Sequence, residues 1–225
     1  MTYFKRLSTC LVSLAITLTF IHYSELDLKF QSLFFNFETK EWLVSSNETF
    51  VKFIFYRFPK YCIVTYGICL IFWLTKLSIY KQNIQLQKKL FFLIITLILT
   101  PLTVSIFKHY SPIICPIHII EFGGSKTHIS PLDLFKDGVF FGNDGRCFPA
   151  GHASGGFSLI ALYFVMKDKS SKFYALLGSL ALGCVMGLFQ MAKGVHYLSD
   201  TITSLAIAYI VCITMERYIL TISHR

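Results

Sequence analysis

The sequence predicts an all-α fold: a polytopic membrane bundle of six transmembrane helices with both termini cytoplasmic. Three observations lead there. Of the 225 residues, 54% are hydrophobic and 16% aromatic, with positive mean hydropathy, well outside the composition of ordinary soluble domains. Apolar stretches near 7–23, 61–80, 89–107, 152–166, 173–189 and 201–219 approach the length needed to cross roughly 30 Å of hydrocarbon. The charges also divide unevenly between the two sets of connections. The amino terminus, the 76–89 and 167–172 connections and the carboxyl terminus carry Lys5, Arg6, Lys76, Lys81, Lys88, Lys89, Lys167, Lys169, Lys172, Arg217 and Arg225, against only Asp168 and Glu216. The positive-inside rule puts that set in the cytoplasm.

Taken in order, the first stretch follows Lys5 and Arg6, and Ile21-His22-Tyr23-Ser24-Glu25 offers no small-residue cleavage pattern, so it reads as a retained anchor. Residues 24–60 mix charge with Phe30, Phe34, Phe35, Phe37, Trp42, Phe50, Phe53, Phe55 and Phe58. They read as an interfacial outer segment that either anchors a loop at headgroup depth or guides a lipid. Two spans follow, joined by a lysine-rich turn. Residues 108–149 form a second outer segment, with turn signals at Phe122-Gly123-Gly124-Ser125 and Asn143-Asp144-Gly145 and a short helix expected around 131–136. The stretch at 152–166 is short and carries Gly155, Gly156 and Ser158, which places it inside the bundle, where small residues let backbones approach. Gly151 with Gly155, and Gly183 with Gly187, have the spacing of close helix contacts within one chain. Residues 1–225 form a single membrane domain.

The net charge of +9 is a topology signal and an attraction to anionic lipid, and nothing calls for nucleic acid. No charged residue sits mid-helix as a transport pathway would require.

Chemistry concentrates in two places. Arg146-Cys147-Phe148-Pro149-Ala150-Gly151-His152 opens the fourth apolar run, and Lys193-Gly194-Val195-His196-Tyr197-Leu198-Ser199-Asp200 opens the last. A helix start presents unpaired N–H groups and the positive end of the macrodipole, which bind phosphate oxygens, and Gly151 lets backbone approach the anion. His196 and Asp200 are four apart, so a carboxylate one turn away holds one imidazole nitrogen and frees the other as a nucleophile. Gln190, Lys193, His196 and Asp200 would share a face if a helix ran through Gly194.

These motifs resemble the type 2 phosphatidic acid phosphatase and vanadium haloperoxidase superfamily, in particular its short bacterial six-helix lipid phosphatases. That family's pattern is KxxxxxxRP, then PSGH, then SRxxxxxHxxxD. Here Lys108 precedes Cys115-Pro116 at the same spacing, Pro149-Ala150-Gly151-His152 fills the second motif, and Phe189-Gln190, His196 and Asp200 fill the third. The resemblance covers about 95–205. It departs at Cys115 and Gln190, where the family keeps phosphate-binding arginines, and at Ala150. Arg146 and Lys193 are the expected substitutes.

The resemblance implies a phosphatase needing neither cofactor nor metal. Lys108, Arg146, Gly151, Gln190 and Lys193 would hold the phosphate, His196 oriented by Asp200 would attack phosphorus, and His152 would serve the leaving group and then water. The implied partner is a phosphorylated lipid: a lipid A phosphate, undecaprenyl diphosphate or a glycerophospholipid phosphate. The implied place is the periplasmic face of a bacterial inner membrane. A lipid-to-lipid phosphotransferase and an inactive anionic-lipid binder are the alternatives, Cys115 and Gln190 favouring the second. A zinc site is conceivable among His109, His118, His128, His152 and His196, but no pair has a recognisable ligand spacing and the nearby lysines disfavour a dication. Five of the seven cysteines fall in apolar runs; Cys115 and Cys147, both outside and each beside a motif, are expected to form a disulfide.

Overall fold

The computed structural model describes residues 2–44, 49–135 and 145–221. Asn143-Asp144, the core of one expected turn, lies outside the described residues.

Among the described residues, five helical segments are long and apolar enough to cross a membrane. They are α1 (Tyr3–Ser24), a composite second segment Thr49–Ile79, α5 (Ile84–Tyr110), α8 (Lys169–Met191) and a segment Leu198–Thr221 whose main part is α9 (Leu198–Met215). The second consists of α3 (Thr49–Lys52), a π turn at Phe53–Arg57 and α4 (Phe58–Ile79). It begins a dozen residues before the expected 61, so 49–60 is the top of a helix and not part of an interfacial loop. Phe50, Phe53, Phe55 and Phe58 are exposed on it, where periodic apolar side chains continue the helix rather than lie flat on a surface.

The sixth apolar stretch, Gly151–Val165, is shorter. It splits into α6 (Gly151–Ser158) and α7 (Ala161–Val165), and at 1.5 Å per residue it spans only about 22 Å. It packs centrally against α5, α8 and α9. The close approach is made by Gly156, where a Cβ would stand 2.6 Å from the Gly183 amide nitrogen, and Phe157 then covers Gly183. Gly151 and Gly155 do not serve this contact: their Cβ positions face open space, with only Ile63 Cδ1 at 3.7 Å from that of Gly155.

The two ends of the bundle are tied differently. At one end Arg6 pairs with Glu216, the Tyr3 and Thr214 hydroxyls are 3.2 Å apart, and Lys89 Nζ donates to the Val165 carbonyl. At the other, α2 (Leu26–Ser32) and the hairpin β1 (Phe35–Asn36) and β2 (Glu41–Trp42) cap the bundle, with Phe35 opposite Trp42. Phe35, Trp42 and Phe122 form an aromatic cluster with centroids 5.0–5.4 Å apart. Phe35 and Trp42, expected at the bilayer surface, pack against protein instead, with Trp42 lying over Gly194 in the α8–α9 turn. The 111–130 segment is irregular, with 3₁₀ turns at Pro116–His118 and Ile120–Phe122, and a third at Pro131–Phe135 matches the expected short helix. Ile113 and Ile119 anchor it, fully buried.

Candidate active site

Three chain segments meet beneath the cap formed by α2 and the hairpin. Ala150 N–H donates to the Asp200 carbonyl at 3.2 Å and Ser204 Oγ lies 2.9 Å from the Ala150 carbonyl, so the start of α6 is bonded to the first turns of α9. The first helical bond of α6 runs from Ser154 N to Ala150 O, which leaves the N–H groups of Gly151, His152 and Ala153 ahead of it aimed at the site.

The third motif is not one helix. α8 ends at Met191, Gly194 has φ 68°, and α9 begins only at Leu198. The shared face expected for Gln190, Lys193, His196 and Asp200 therefore does not form. Gly194 is required twice over, by its left-handed backbone and by the Trp42 indole, which fills the place of a Cβ. The turn it makes is fixed by Gly194 N to Met191 O, Val195 N to Gln190 O and Ile117 N to Gly194 O, each 2.9 Å.

That turn delivers His196 to Asp200. Nδ1 of His196 lies 3.0 Å from Asp200 Oδ2, which also accepts Tyr197 N–H at 3.0 Å, and both residues are 0% exposed. With Nδ1 as donor, Nε2 keeps its lone pair. Burial, and then the Lys108 charge, hold the His196 pKa well below the usual imidazole range, so the ring is neutral at neutral pH. Nε2 faces Lys108 Nζ at 3.5 Å, and the His152 ring centre is 5.9 Å from that of His196. Behind this pair, Asp27 Oδ1 on α2 accepts Ser199 N–H at 2.9 Å, and burial raises its carboxyl to about 6.

Of the residues expected to hold phosphate, Lys108 and Gly151 stand at the site. Lys193 is half-buried, its ammonium 5.8 Å from the Phe189 ring centre, and burial and Lys52 lower its pKa. Gln190 is buried at 4% exposure, its carbonyl in the α8–α9 turn. Arg146 is exposed, its backbone bonded to Ser111 and its guanidinium unpaired among the described residues. Cys115 is joined to Cys147, with Cα atoms 5.1 Å apart, and the Cys147 sulfur sits 3.8 Å from His196 Nδ1. His118 and Glu121 are exposed.

Cys147, His196 and Asp200 bring three potential donor atoms within 4.8 Å of one another. The sulfur is already bonded to Cys115 and the carboxylate to the imidazole, so the trio offers a cation no free thiolate.

A cleft of about 550 Å³ opens beside His152. Tyr56, Lys60, Lys108, Gly151 and His152 form its polar mouth, and Ile63, Val64, Gly67, Ile68, Ile71, Leu97 and Ile98 line the rest. Tyr56 in the π turn meets the His152 ring edge-on at 4.7 Å, while neighbouring Phe55 stacks on Phe189 at 5.8 Å. Tyr56 and Lys60 are absent from the motifs; their signal was the i, i+4, i+7, i+8 spacing that carries Tyr56 and Lys60 into Ile63 and Val64.

A family model described as the PAP2 superfamily matches residues 89–222, a stretch holding Lys108, His152, His196 and Asp200. The chain belongs to the PAP2 superfamily. Comparison with curated proteins and with solved structures returned no match. As a PAP2 protein it has phosphatase-type chemistry directed at a phosphorylated substrate, and its apolar helices make it a multi-pass membrane protein. The family match stops short of α4, so Tyr56 and Lys60 are contributed from outside it.

Proposed function

We propose that this PAP2 protein is a membrane lipid phosphatase that hydrolyses a phosphomonoester or diphosphate of a lipid through a phosphohistidine at His196. The observation that carries the reading is the juxtaposition of a neutral, carboxylate-held imidazole with a cleft that is cationic at its mouth and apolar along its length. A phosphate at the mouth and a hydrocarbon chain along α4 and α5 is the ligand this shape fits.

Lys108 and the N–H groups at 151–153 hold phosphate oxygens, and Lys193 adds positive charge. His196 Nε2 attacks phosphorus in line, forming a P–N bond as the P–O bond to the lipid breaks, and His152, as the imidazolium, gives a proton to the departing oxygen and becomes neutral. Asp200 stabilises the imidazolium that results. Neutral His152 then takes a proton from water, which attacks phosphorus, releases phosphate and restores His196. Most of the acceleration in such transfer comes from positioning and charge stabilisation, which suits groups fixed at helix ends. The residues named do this without a metal.

The distribution of basic residues supports six crossings with Gly151–Val165 as the short one, cytoplasmic termini, and a site at the periplasmic face of a bacterial inner membrane. Lipid A phosphate, undecaprenyl diphosphate and glycerophospholipid phosphates are the substrates to test. Purified protein in detergent with chelator should release phosphate from at least one of them, and His196→Ala should abolish it. Release that requires added acceptor lipid would mean a phosphotransferase. No release with retained lipid binding would mean an inactive binder.

A further inference from the structure

We propose that Lys60 on α4 is a substrate-binding residue that supplies phosphate-directed charge where the family's two arginines are replaced by Cys115 and Gln190. The inference rests on the phosphatase reading and goes beyond it, since α4 lies outside the family match.

The need for such a residue is visible in the site. The Cys115 sulfur is consumed by Cys147, and Gln190 is neutral and buried. Arg146 stands exposed one residue before Cys147, with backbone φ 52°. Lys108 is thus left as the one motif cation against the nucleophile. Lys60 lines the same cleft as Lys108, Gly151 and His152, and Lys193 stands three residues before His196. Among the described residues none of these three lysines pairs with a carboxylate. Ammonium groups gathered without acidic partners repel one another, and an anion between them removes that cost.

The position of Lys60 along α4 fixes which part of a lipid it meets. Ile63, Val64, Gly67, Ile68 and Ile71 continue its face down the cleft, about 16 Å to Ile71. Lys60 is the last charged group on that face before the apolar stretch. A chain lying along Gly67 and Ile68 brings its phosphate to Lys60 and His152 together. The π turn above it sets the height, holding Tyr56 on His152 and Phe55 on Phe189.

The test is equilibrium binding of inorganic orthophosphate, alongside lipid-phosphate kinetics, in the full chain in detergent. Lys60→Gln is expected to weaken orthophosphate binding and raise the lipid KM about tenfold or more, with an unchanged melting temperature, and Lys60→Arg to restore both to within about threefold. Rescue by arginine separates a charge contact from a packing role. Orthophosphate affinity and KM within twofold of wild type in Lys60→Gln would overturn the assignment, while the phosphatase reading would stand if His196→Ala still abolished release. Wild-type protein that neither binds orthophosphate nor releases it would overturn both.

Discussion

Replacing Asp200 with asparagine isolates the support given to the nucleophile. In the structure Asp200 Oδ2 accepts from His196 Nδ1 and from Tyr197 N–H, both at 3.0 Å, in a fully buried setting. Asparagine is nearly isosteric, and its amide oxygen can accept one of those bonds. The negative charge opposite the imidazolium that forms on attack is lost. The Tyr197 bond exists equally in ground and transition states and drops out of the difference; the His196 bond strengthens as the ring becomes positive. Losing the charged part of one such bond costs about 2–3 kcal/mol, and at 1.36 kcal/mol per tenfold this lowers kcat about 30- to 160-fold. Because Asp200 does not contact the phosphate, KM should stay within about threefold. Phosphate release is measured with a lipid phosphate and with a water-soluble aryl phosphate, and acid-quenched samples are examined for phosphohistidine. Both substrates should lose kcat by the same factor. A folded Asp200→Asn protein with kcat within threefold of wild type, or one that loses KM and keeps kcat, would refute the role assigned to the pair.

Four further outcomes are expected. Asp27 has a folded pKa of about 6 against 3.8 for the free group, so its contribution to stability is complete below pH 3.8 and lost as pH rises through about 6; Asp27→Asn should remove that fall, seen as a gap between wild-type and variant melting temperatures that changes across pH 4–8. A gap constant with pH would contradict it. The Cys115–Cys147 bridge closes a 32-residue separation, for which the chain-entropy relation gives about 3.7 kcal/mol, so Cys115→Ser should melt several degrees lower, and thiol titration of unfolded, unreduced wild type should find the five free cysteines and no more. Gly194→Ala meets both a left-handed backbone and the Trp42 indole; it should cost about 1–2 kcal/mol for the backbone alone and reduce kcat with it, because the same turn carries His196. Activity should persist as pH falls below 6.5, since His196 binds its inactivating proton only well below that value, and a pH profile that halves near 6.5 would argue against a neutral buried nucleophile.

Much of the site was legible before folding was considered. A buried histidine and a carboxylate four residues on, a Pro-Ala-Gly-His helix opening and a lysine seven residues before Cys115 are local patterns, and each survives in the structure because its geometry depends on a few neighbouring residues. The broken third motif was not legible. His196 reaches Asp200 across a non-helical turn, and Gly194, which looks like a tolerable glycine in a helix, is left-handed and packed under Trp42 from a hairpin about 150 residues away.

Composition and charge placement alone decided that this chain has long apolar helices, and the spaced motifs alone decided its family, since hydrophobic transfer and helix-end chemistry act through short stretches of sequence. The tertiary structure decided which cations share a cleft with His152. It left Arg146 exposed, committed Cys115 to Cys147, and brought Lys60 of α4 and Tyr56 of the preceding π turn to His152. Charge acts through space and not along the chain, so Lys60, 136 residues from His196, comes to line the same cleft as Lys108 once packing sets them there.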